Sequence, residues 1–591
     1  MEITLKNVNG KLKNSINKSL SARGFYWSER KAEEKKFSKL VDELNVDKFF
    51  AKILSLRDIN IENYNDFLEP KLKNCFPNPS TLDGLDKATE LIVELIVKEK
   101  KIGIFGDYDV DGATSTAILG RFFKEINVLF EYYIPDRIKE GYGPNIEAFR
   151  RLSEKKCELI ITVDCGTTSN FVIKKANDEN MTIIVVDHHQ QVSDLPNAYS
   201  IINPNKNVDN SNLIDLAAVG VTYLLIVSIN RKLKKLNFYK NKKEPNLFNY
   251  LDFVALGTIC DVVKLDLFNR ALVKQGIKVL NKTNNLGLQH LIKSSNISDE
   301  LNEFHLGYVL GPKINAGGRV GKSSKGVELL LSENSSHCMI IADELNKFNE
   351  ERKKIEKQVE ESAIKKILKN KKIICVSGKD WHPGVIGIVA GRLTEKFYKP
   401  SIVISEGREV CKGSARSVSG FNIGNLIKLA LENGILIDGG GHKMAAGLTI
   451  DKKKIPQLID FVDKNFHEEN VSIEKYYDAK IFLSNIDLQM FELINKISPF
   501  GSGNSKPKFC FENCFIKFPK LVGNSHVSCL LSDVHGNTVK SIAFKAFENK
   551  VGTNLLENKG NKFNVIGQIN LNSWNGRESL QILIEDIIST I

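Results

Sequence analysis

Lys101-Ile-Gly-Ile-Phe105 runs straight into Gly106-Asp107-Tyr108-Asp109-Val110-Asp111-Gly112, and the fold is decided there. A short apolar run followed at once by glycine and alternating carboxylates reads as a buried strand ending in an acidic turn. In an extended turn alternate side chains face one way, so Asp109 and Asp111 are expected to aim at one cation. The pattern recurs downstream in Val128–Ile134, Leu159–Val163 and Ile183–Val186, short β-branched or apolar runs separated by helical stretches. This alternation predicts a parallel sheet covered on both faces, with its site at the C-terminal ends of the strands. The run ending at Val163 delivers Asp164-Cys165-Gly166, and the run ending at Val186 delivers Asp187-His188-His189. Gly257-Thr258-Ile259-Cys260-Asp261 presents another acid after an apolar run, and it too is read as a strand end. Carboxylates and an imidazole gathered in this way make a hard, oxygen-rich site suited to Mn²⁺ or Mg²⁺.

Two other readings of short motifs fail on context. Asp107-x-Asp109-x-Asp111-Gly112 could open a calcium loop, but its twelfth position is Ile118 where Glu is required, and a strand precedes it instead of a helix. Ala316-Gly-Gly-Arg-Val-Gly-Lys-Ser323 fits a permissive phosphate-loop pattern, yet Pro312 lies just upstream and no clear apolar strand leads into it.

Outward from this core, residues 1–80 read as a helical lead-in and 81–334 as the catalytic α/β domain. The charged, Gly- and Pro-free segment after Ser335 reads as a connecting helix over 335–370. A second, smaller α/β domain spans 371–468, with strands expected at Ile373–Ser377 and Ser401–Ser405 and a helix after Gly384. Short alternating strands such as Lys480–Leu483 and Ser541–Phe544 make 473–591 a small all-β barrel of the oligonucleotide-binding kind.

With 591 residues, 42% hydrophobic and 26% charged, the composition is that of a multidomain globular protein and excludes fibres and wholesale disorder. Leu216–Ile229 is too short to span a bilayer and reads as a buried helix, and no apolar block marks a signal peptide. Ten cysteines without a C-x-x-C pair suit a reducing cytoplasm, not a disulfide framework or a zinc finger. The net charge of +12 suits a polyanionic partner, although the basic runs Arg231–Lys243 and Arg352–Lys372 read as solvated faces.

At Gly106–Gly112, Val163–Gly166, Asp187-His188-His189 and Gly257–Val262 the sequence resembles the DHH phosphoesterase superfamily, and more closely its 5′→3′ exonucleases specific for single-stranded DNA. Asn315-Ala-Gly-Gly-Arg319 belongs to the same pattern. Trp381–Gly387, Gly413–Arg416 and Gly439–His442 with Ala445-Ala446-Gly447 resemble the superfamily's DHHA1 domain, and Pro499–Asn504 resembles the start of the exonucleases' barrel. The resemblance implies that Asp109, Asp111, Asp164, His188 and Asp261 hold two Mn²⁺ or Mg²⁺ ions, with Asp164 bridging and His189 contacting the scissile phosphate or assisting the leaving group. Asp107 would only brace the loop. It further implies substrate contacts from Arg137, Asn315, Arg319, Ser414, Arg416 and His442, the arginines and Ser414 forming a pocket for the terminal 5′-phosphate. Phe105 stands where many small-molecule members carry a histidine, as the exonuclease branch commonly shows.

The implied protein is a cytoplasmic monomer that releases 5′-mononucleotides in recombination and repair, beside a single-strand-binding protein and a helicase. Tyr142 and Trp381 are candidates for stacking on bases. Two alternatives differ in substrate or class: a hydrolase of short oligoribonucleotides, cyclic dinucleotides or pyrophosphate, against which chain length, the barrel and Phe105 argue, and a retired DNA-binding subunit, against which the intact ligand set argues. Turnover of long single strands against dinucleotides, and metal dependence, separate them.

Overall fold

A computed structural model describes residues 20–590 apart from 192–193, 298, 369, 467–472 and 575–576. The extreme N-terminus, read above as free of a signal peptide, lies outside the described residues. The chain divides into two units, one built from residues 70–467 with 501–503 and the other from 1–69, 468–500 and 504–591.

In chain order the first strand, β1 (Tyr26–Glu29), pairs in parallel with residues 474–477. The next five are β2 (Ile102–Gly106), β3 (Phe130–Tyr133), β4 (Leu159–Val163), β5 (Ile183–Val186) and β6 (Ser200–Ile202). They form one parallel sheet in the order β3-β2-β4-β5-β6. Every residue of β2, β4 and β5 is buried. Ile102, Ile104, Ile161, Val163, Ile184 and Val186 face one apolar core, while Phe105, Ile160, Ile183 and Val185 face another. This double burial is why these strands read as continuous apolar runs. The chain leaves β2 toward β3 at the sheet edge and returns to β4 on the other side of β2. The order therefore reverses between β2 and β4, the crevice where sheets of this kind bind ligands.

Phe105 is fully buried, stacked on Tyr133 with ring centroids 5.7–6.0 Å from its two aromatic neighbours, Phe149 and Tyr133, so a core aromatic occupies that position. Leu216–Ile229 falls mostly within the helix Ala218–Lys235, whose first ten residues are all buried. The Gly257–Asp261 segment is not a strand end. It closes the helix Leu251–Cys260, and Asp261 is its C-cap. The motif Ala316–Ser323 lies largely in the helix Gly311–Val320, entered from the π-helical turn His305–Leu310, so no strand precedes it.

The helix Ser335–Lys365 leads to a second sheet in the same unit. Its strands are β7 (Ile374–Lys379), β8 (Ser401–Glu406), β9 (Val410–Arg416), β10 (Asp438–Gly441) and β11 (Ala445–Asp451), ordered β10-β11-β9-β8-β7. Only β7 and β8 are parallel. The helix Ile386–Phe397 packs against this sheet through Ile386, Val389, Ala390 and Leu393. Trp381, a candidate stacking residue, is buried in the same core with its indole N–H 3.3 Å from Ser362 Oγ, so packing accounts for it.

In the other unit, β12 (Glu474–Tyr477) receives β1, and β13 (Ala479–Lys480) precedes β14 (Phe509–Val522), β15 (His526–Ser532), β16 (Thr538–Ala543), β17 (Lys562–Trp574) and β18 (Arg577–Ser589). Pairings β14–β15, β15–β16, β16–β18, β18–β17 and β17–β14 close a five-stranded barrel. The expected strand Lys480–Leu483 is shorter than read, since Leu483 begins a 3₁₀ turn. Residues 20–69, read as a helical lead-in, contain β1, and Leu40, Phe50, Ile53 and Leu54 share the barrel's apolar core. Among the described residues no helix is long and apolar enough to cross a membrane.

Candidate active site

The turn after β2 is tighter than an extended run. Asp109 caps the helix Val110–Glu125 by accepting from Gly112 N at 3.1 Å. Gly112 is required there, because a Cβ would lie 2.5 Å from Asp107 O. Asp111 therefore sits in the first helical turn, and its carboxylate accepts from Ala218 N (2.7 Å) and Val219 N (2.8 Å), at the start of the helix Ala218–Lys235. The extended reading puts Asp109 and Asp111 on one cation; in the helical turn Asp109 groups with Asp107 and Asp164, and Asp111 with His188 and Asp261.

Gly257 brings the remaining acid in. A Cβ on it would meet Thr114 Oγ1 at 2.5 Å, Val219 Cγ1 at 2.7 Å and Asp111 Oδ1 at 3.1 Å. Only a residue without a side chain lets the helix Leu251–Cys260 pack this closely and deliver Asp261 beside Asp111. Asp164 follows β4 with φ 63°, a backbone state that non-glycine residues adopt rarely and that recurs at functional sites. After β5, Asp187 accepts from the backbone of Thr167 (2.9 Å), His188 (2.7 Å) and His189 (3.2 Å), and pairs with His189 Nδ1 at 2.7 Å. Asn203 and Asn205 hold the carbonyls of His189 and His188 at 2.8 and 2.6 Å.

These side chains converge. His188 Nε2 lies 3.4 Å from Asp164, 3.5 Å from Asp261 and 3.7 Å from Asp111. Three groups have donor atoms close enough to hold an ion: Asp111, His188 and Asp261; Asp107, Asp109 and Asp164; and Asp164, His188 and His189. Asp164 and His188 each belong to two of them. Asp107, expected only to brace the loop, joins the cluster. Its place in the same Asp-x-Asp-x-Asp run was the available signal, but the run alone does not say where the helix starts.

Asp107 Oδ1, Asp164 Oδ1 and His188 Nε2 are buried without a hydrogen-bond partner among the described residues. Such orphaned atoms are costly unless something positive fills the space between them. Burial, then the charge of Asp261, pushes Asp111 up to about 7, and burial with Asp109 does the same to Asp261. Asp107 and Asp164 are held well above the usual carboxylate range by burial and their neighbours' charges. Burial lowers His188, keeping it in the neutral, ligating form. A donor set of this kind fits divalent cations of the Mg²⁺ and Mn²⁺ type. His189 differs: burial opposes its charge, but the hydrogen bond and charge of Asp187 outweigh it and raise it to about 9. Burial likewise opposes the charge on Asp187, yet the bonds from His189 and Thr167 hold it below the ordinary range.

A cleft of about 1330 Å³ faces this cluster from the second sheet. Arg137, Arg319, Ser414, Arg416 and His442 all line it, together with Asp187 and His189; Asn315 is not among its lining residues. Arg319 reaches across the lobes to donate to Gly384 O at 3.1 Å, and the Arg137 guanidinium sits 5.0 Å over the Tyr108 ring. Arg416 on β9 donates to Ser414 Oγ at 3.3 Å. Burial, then the nearby Arg137, lowers Arg319 to about 10; positive charge is crowded here, and among the described residues no ion pair is made by Arg137, Arg319 or Arg416. Tyr142 is exposed at the mouth, with its hydroxyl 3.2 Å from His189 Nε2.

Residues 101–258 match the DHH family N-terminal domain, and residues 370–468 match the DHHA1 domain. Together with the carboxylate cluster at the sheet's switch point, these define the chain as a DHH phosphoesterase. Residues 477–586 match the RecJ OB domain. The single-stranded-DNA-specific exonuclease RecJ of Bacillus subtilis is 32% identical over 95% of this chain and 70% of its own length. Its namesake in Haemophilus influenzae is 32% identical over 89% of this chain and 94% of its own length. The chain belongs to the RecJ family. Among solved structures, RecJ of Thermus thermophilus with Mn²⁺ has a TM-score of 0.77 at 24% identity, covering 94% of this chain and 78% of that one. An exonuclease RecJ bound to manganese has a TM-score of 0.57 at 29% identity, covering 66% of this chain and 96% of that one.

Proposed function

We propose that this chain is a Mn²⁺- or Mg²⁺-dependent exonuclease that degrades single-stranded DNA from the 5′ end to 5′-mononucleotides, in recombination and repair. The observation that carries the reading is the facing of a buried carboxylate–imidazole cluster by a cleft in which Arg137, Arg319 and Arg416 make no ion pair among the described residues. Asp107, Asp109, Asp111, Asp164, His188 and Asp261 would hold two ions, which supply charge neutralisation and an activated water for phosphodiester hydrolysis. The chain's own groups do the rest. Arg137, Arg319, Arg416 and Ser414 hold the terminal 5′-phosphate, and Arg presents paired donors to it. That pocket sets polarity, because only a strand end brings a phosphate there with the next linkage over the cluster. His189, charged at neutral pH, offers Nε2 as a donor to the phosphoryl group or the departing oxygen, while Asp187 fixes its Nδ1.

The reading extends to residues 81–334 as the catalytic domain, 371–468 as the phosphate-holding domain, 335–370 as their connector, 473–591 as a single-strand-gripping barrel and 1–80 as a lead-in. It includes a cytoplasmic monomer served by a helicase and a single-strand-binding protein. The test is a single-stranded oligonucleotide labelled in turn at each end, with Mn²⁺, Mg²⁺ or EDTA, beside duplex and the Asp164→Ala variant. Early release of the 5′ label as mononucleotide, lost with EDTA and in the variant, supports the reading. Early loss of the 3′ label refutes the assigned phosphate pocket.

A further inference from the structure

One helical rod runs beside the whole cluster. The π-helical turn His305–Leu310 passes without a break into the helix Gly311–Val320. At its start Phe304 and Tyr308 are stacked on each other, ring centroids 5.2 Å apart at 25°, and are 58% and 75% exposed. Leu306, between the two rings in sequence, accepts from Cys260 Sγ at its carbonyl oxygen at 3.4 Å, and one turn on a Cβ on Gly311 would lie 2.3 Å from that sulfur. The rod is thereby seated on the residue preceding Asp261. Near its far end, a Cβ on Gly318 would lie 3.1 Å from Tyr108 O, between Asp107 and Asp109. Arg319 follows and lines the cleft. From Tyr308 to Arg319 the rod advances roughly 16 Å. Its sequence order is thus aromatic pair, Asp261 side of the cluster, Asp107–Asp109 side, phosphate pocket.

We propose that Phe304 and Tyr308 form the platform on which bases of the bound strand stack, on the 3′ side of the cleaved linkage. This rests on the exonuclease reading: with the 5′-phosphate at Arg319 and the linkage at the cluster, the strand's continuation lies toward the other end of the rod. Two exposed, mutually stacked rings present a π-face that any base can extend, which is how single-strand binders grip without reading sequence. Val262, 67% exposed beside Asp261, is held at φ 61°, an unfavourable state for a β-branched residue and one concentrated at functional sites. Two rings bury at most about 500 Å², short of the roughly 800 Å² that one partner contributes to a stable protein interface. A strand of stacked bases fits that area.

The test uses the full chain with Mn²⁺, a 5′-phosphorylated single-stranded 20-mer, and the same 20-mer with abasic sites after the first two nucleotides. The variants are Phe304→Ala/Tyr308→Ala, Phe304→Leu/Tyr308→Leu and Phe304→Trp/Tyr308→Trp. Because both side chains are exposed, all three should melt as the parent does. The alanine and leucine pairs should raise KM for the intact 20-mer about tenfold or more with kcat little changed, and the tryptophan pair should restore it. The abasic strand should raise the parent's KM to the alanine variant's level and leave that variant unmoved. An unchanged KM, or an equal loss on intact and abasic strands, overturns the platform. A parent that degrades neither strand overturns the exonuclease reading instead.

Discussion

Asp187 opens the Asp-His-His triplet yet contributes no oxygen to any of the three ion-holding groups. Its four contacts, three backbone N–H groups and His189 Nδ1, make it a positioning residue that acts through His189. With His189 raised to about 9, the imidazolium persists through neutral pH and is lost only above that value. In Asp187→Asn the shape remains but the negative charge goes, so His189 returns toward or below its ordinary value near 6.5. The variant therefore keeps a charged His189 only at acid pH and loses it as pH rises through about 6.5. Its kcat should match the parent most nearly at pH 6 and fall roughly a hundredfold behind at pH 8. The rise in melting temperature on adding Mn²⁺ should survive, because the ligating groups are untouched. A pH-independent deficit, or loss of the metal-induced rise, would make Asp187 a structural or ligating residue instead.

At the scale of elements, legibility depended on how each segment is buried. β4 and β5 match the sequence-read boundaries because each is a four- or five-residue β-branched run with a carboxylate at its end. The end of the helix Leu251–Cys260 reads as a strand because its first eight residues are buried on every side. An element with no wet face shows no 3.6-residue period, and Thr258-Ile259 lends it strand character. The motif that named Asp261 was therefore readable while the element carrying it was not. Asp107 was undervalued for a related reason: the turn's chemistry was plain, but the start of the following helix was not. The pairing of β1 with β12 joins residues more than four hundred positions apart and leaves no local signal. In the connecting helix Ser335–Lys365, a second device escaped the sequence. Glu356 is fully buried and pairs with both Arg352 and Arg392, the latter lining the cleft. Glu356→Gln takes from the largely buried Arg352 its carboxylate partner, while Arg392 keeps Glu360 at 2.9 Å, and breaking such a buried pair costs about 3 kcal/mol. Urea titration should show that loss in midpoint with the slope unchanged; a loss below about 0.5 kcal/mol would mean the arginines find other partners.

For the whole molecule, the cluster makes stability depend on pH and metal together. Asp111 and Asp261 titrate near 7, above the 3.8 of the free side chain. Without metal, the stability tied to their protonated forms is complete below about pH 4 and drains away as pH climbs to about 7. Cations must displace those protons, so they bind better as pH rises. EDTA-treated protein should melt lower at pH 8 than at pH 6, and Mn²⁺ should raise the melting temperature more at pH 8; the reverse order would deny that these acids ligate. The second whole-molecule property is charge. A net +12 is spread over many lysines, yet the cleft gathers Arg137, Arg319 and Arg416, which make no ion pair among the described residues. Neutralising the doubly charged terminal phosphate of a single strand in that pocket gives a salt slope near −1.4, taking about −0.7 per phosphate charge. Raising salt from 50 to 200 mM should then raise KM for a 5′-phosphorylated single strand about sevenfold. Arg416→Ala should flatten the slope and weaken binding at every salt concentration. Neutralising Lys240, Lys242 and Lys243, in the run read as a solvated face, should leave the slope where it was, because screened surface charge far from the strand releases no bound counterions. If instead those lysines carry the slope and Arg416 does not, the strand crosses the protein by another route and the phosphate pocket is misplaced.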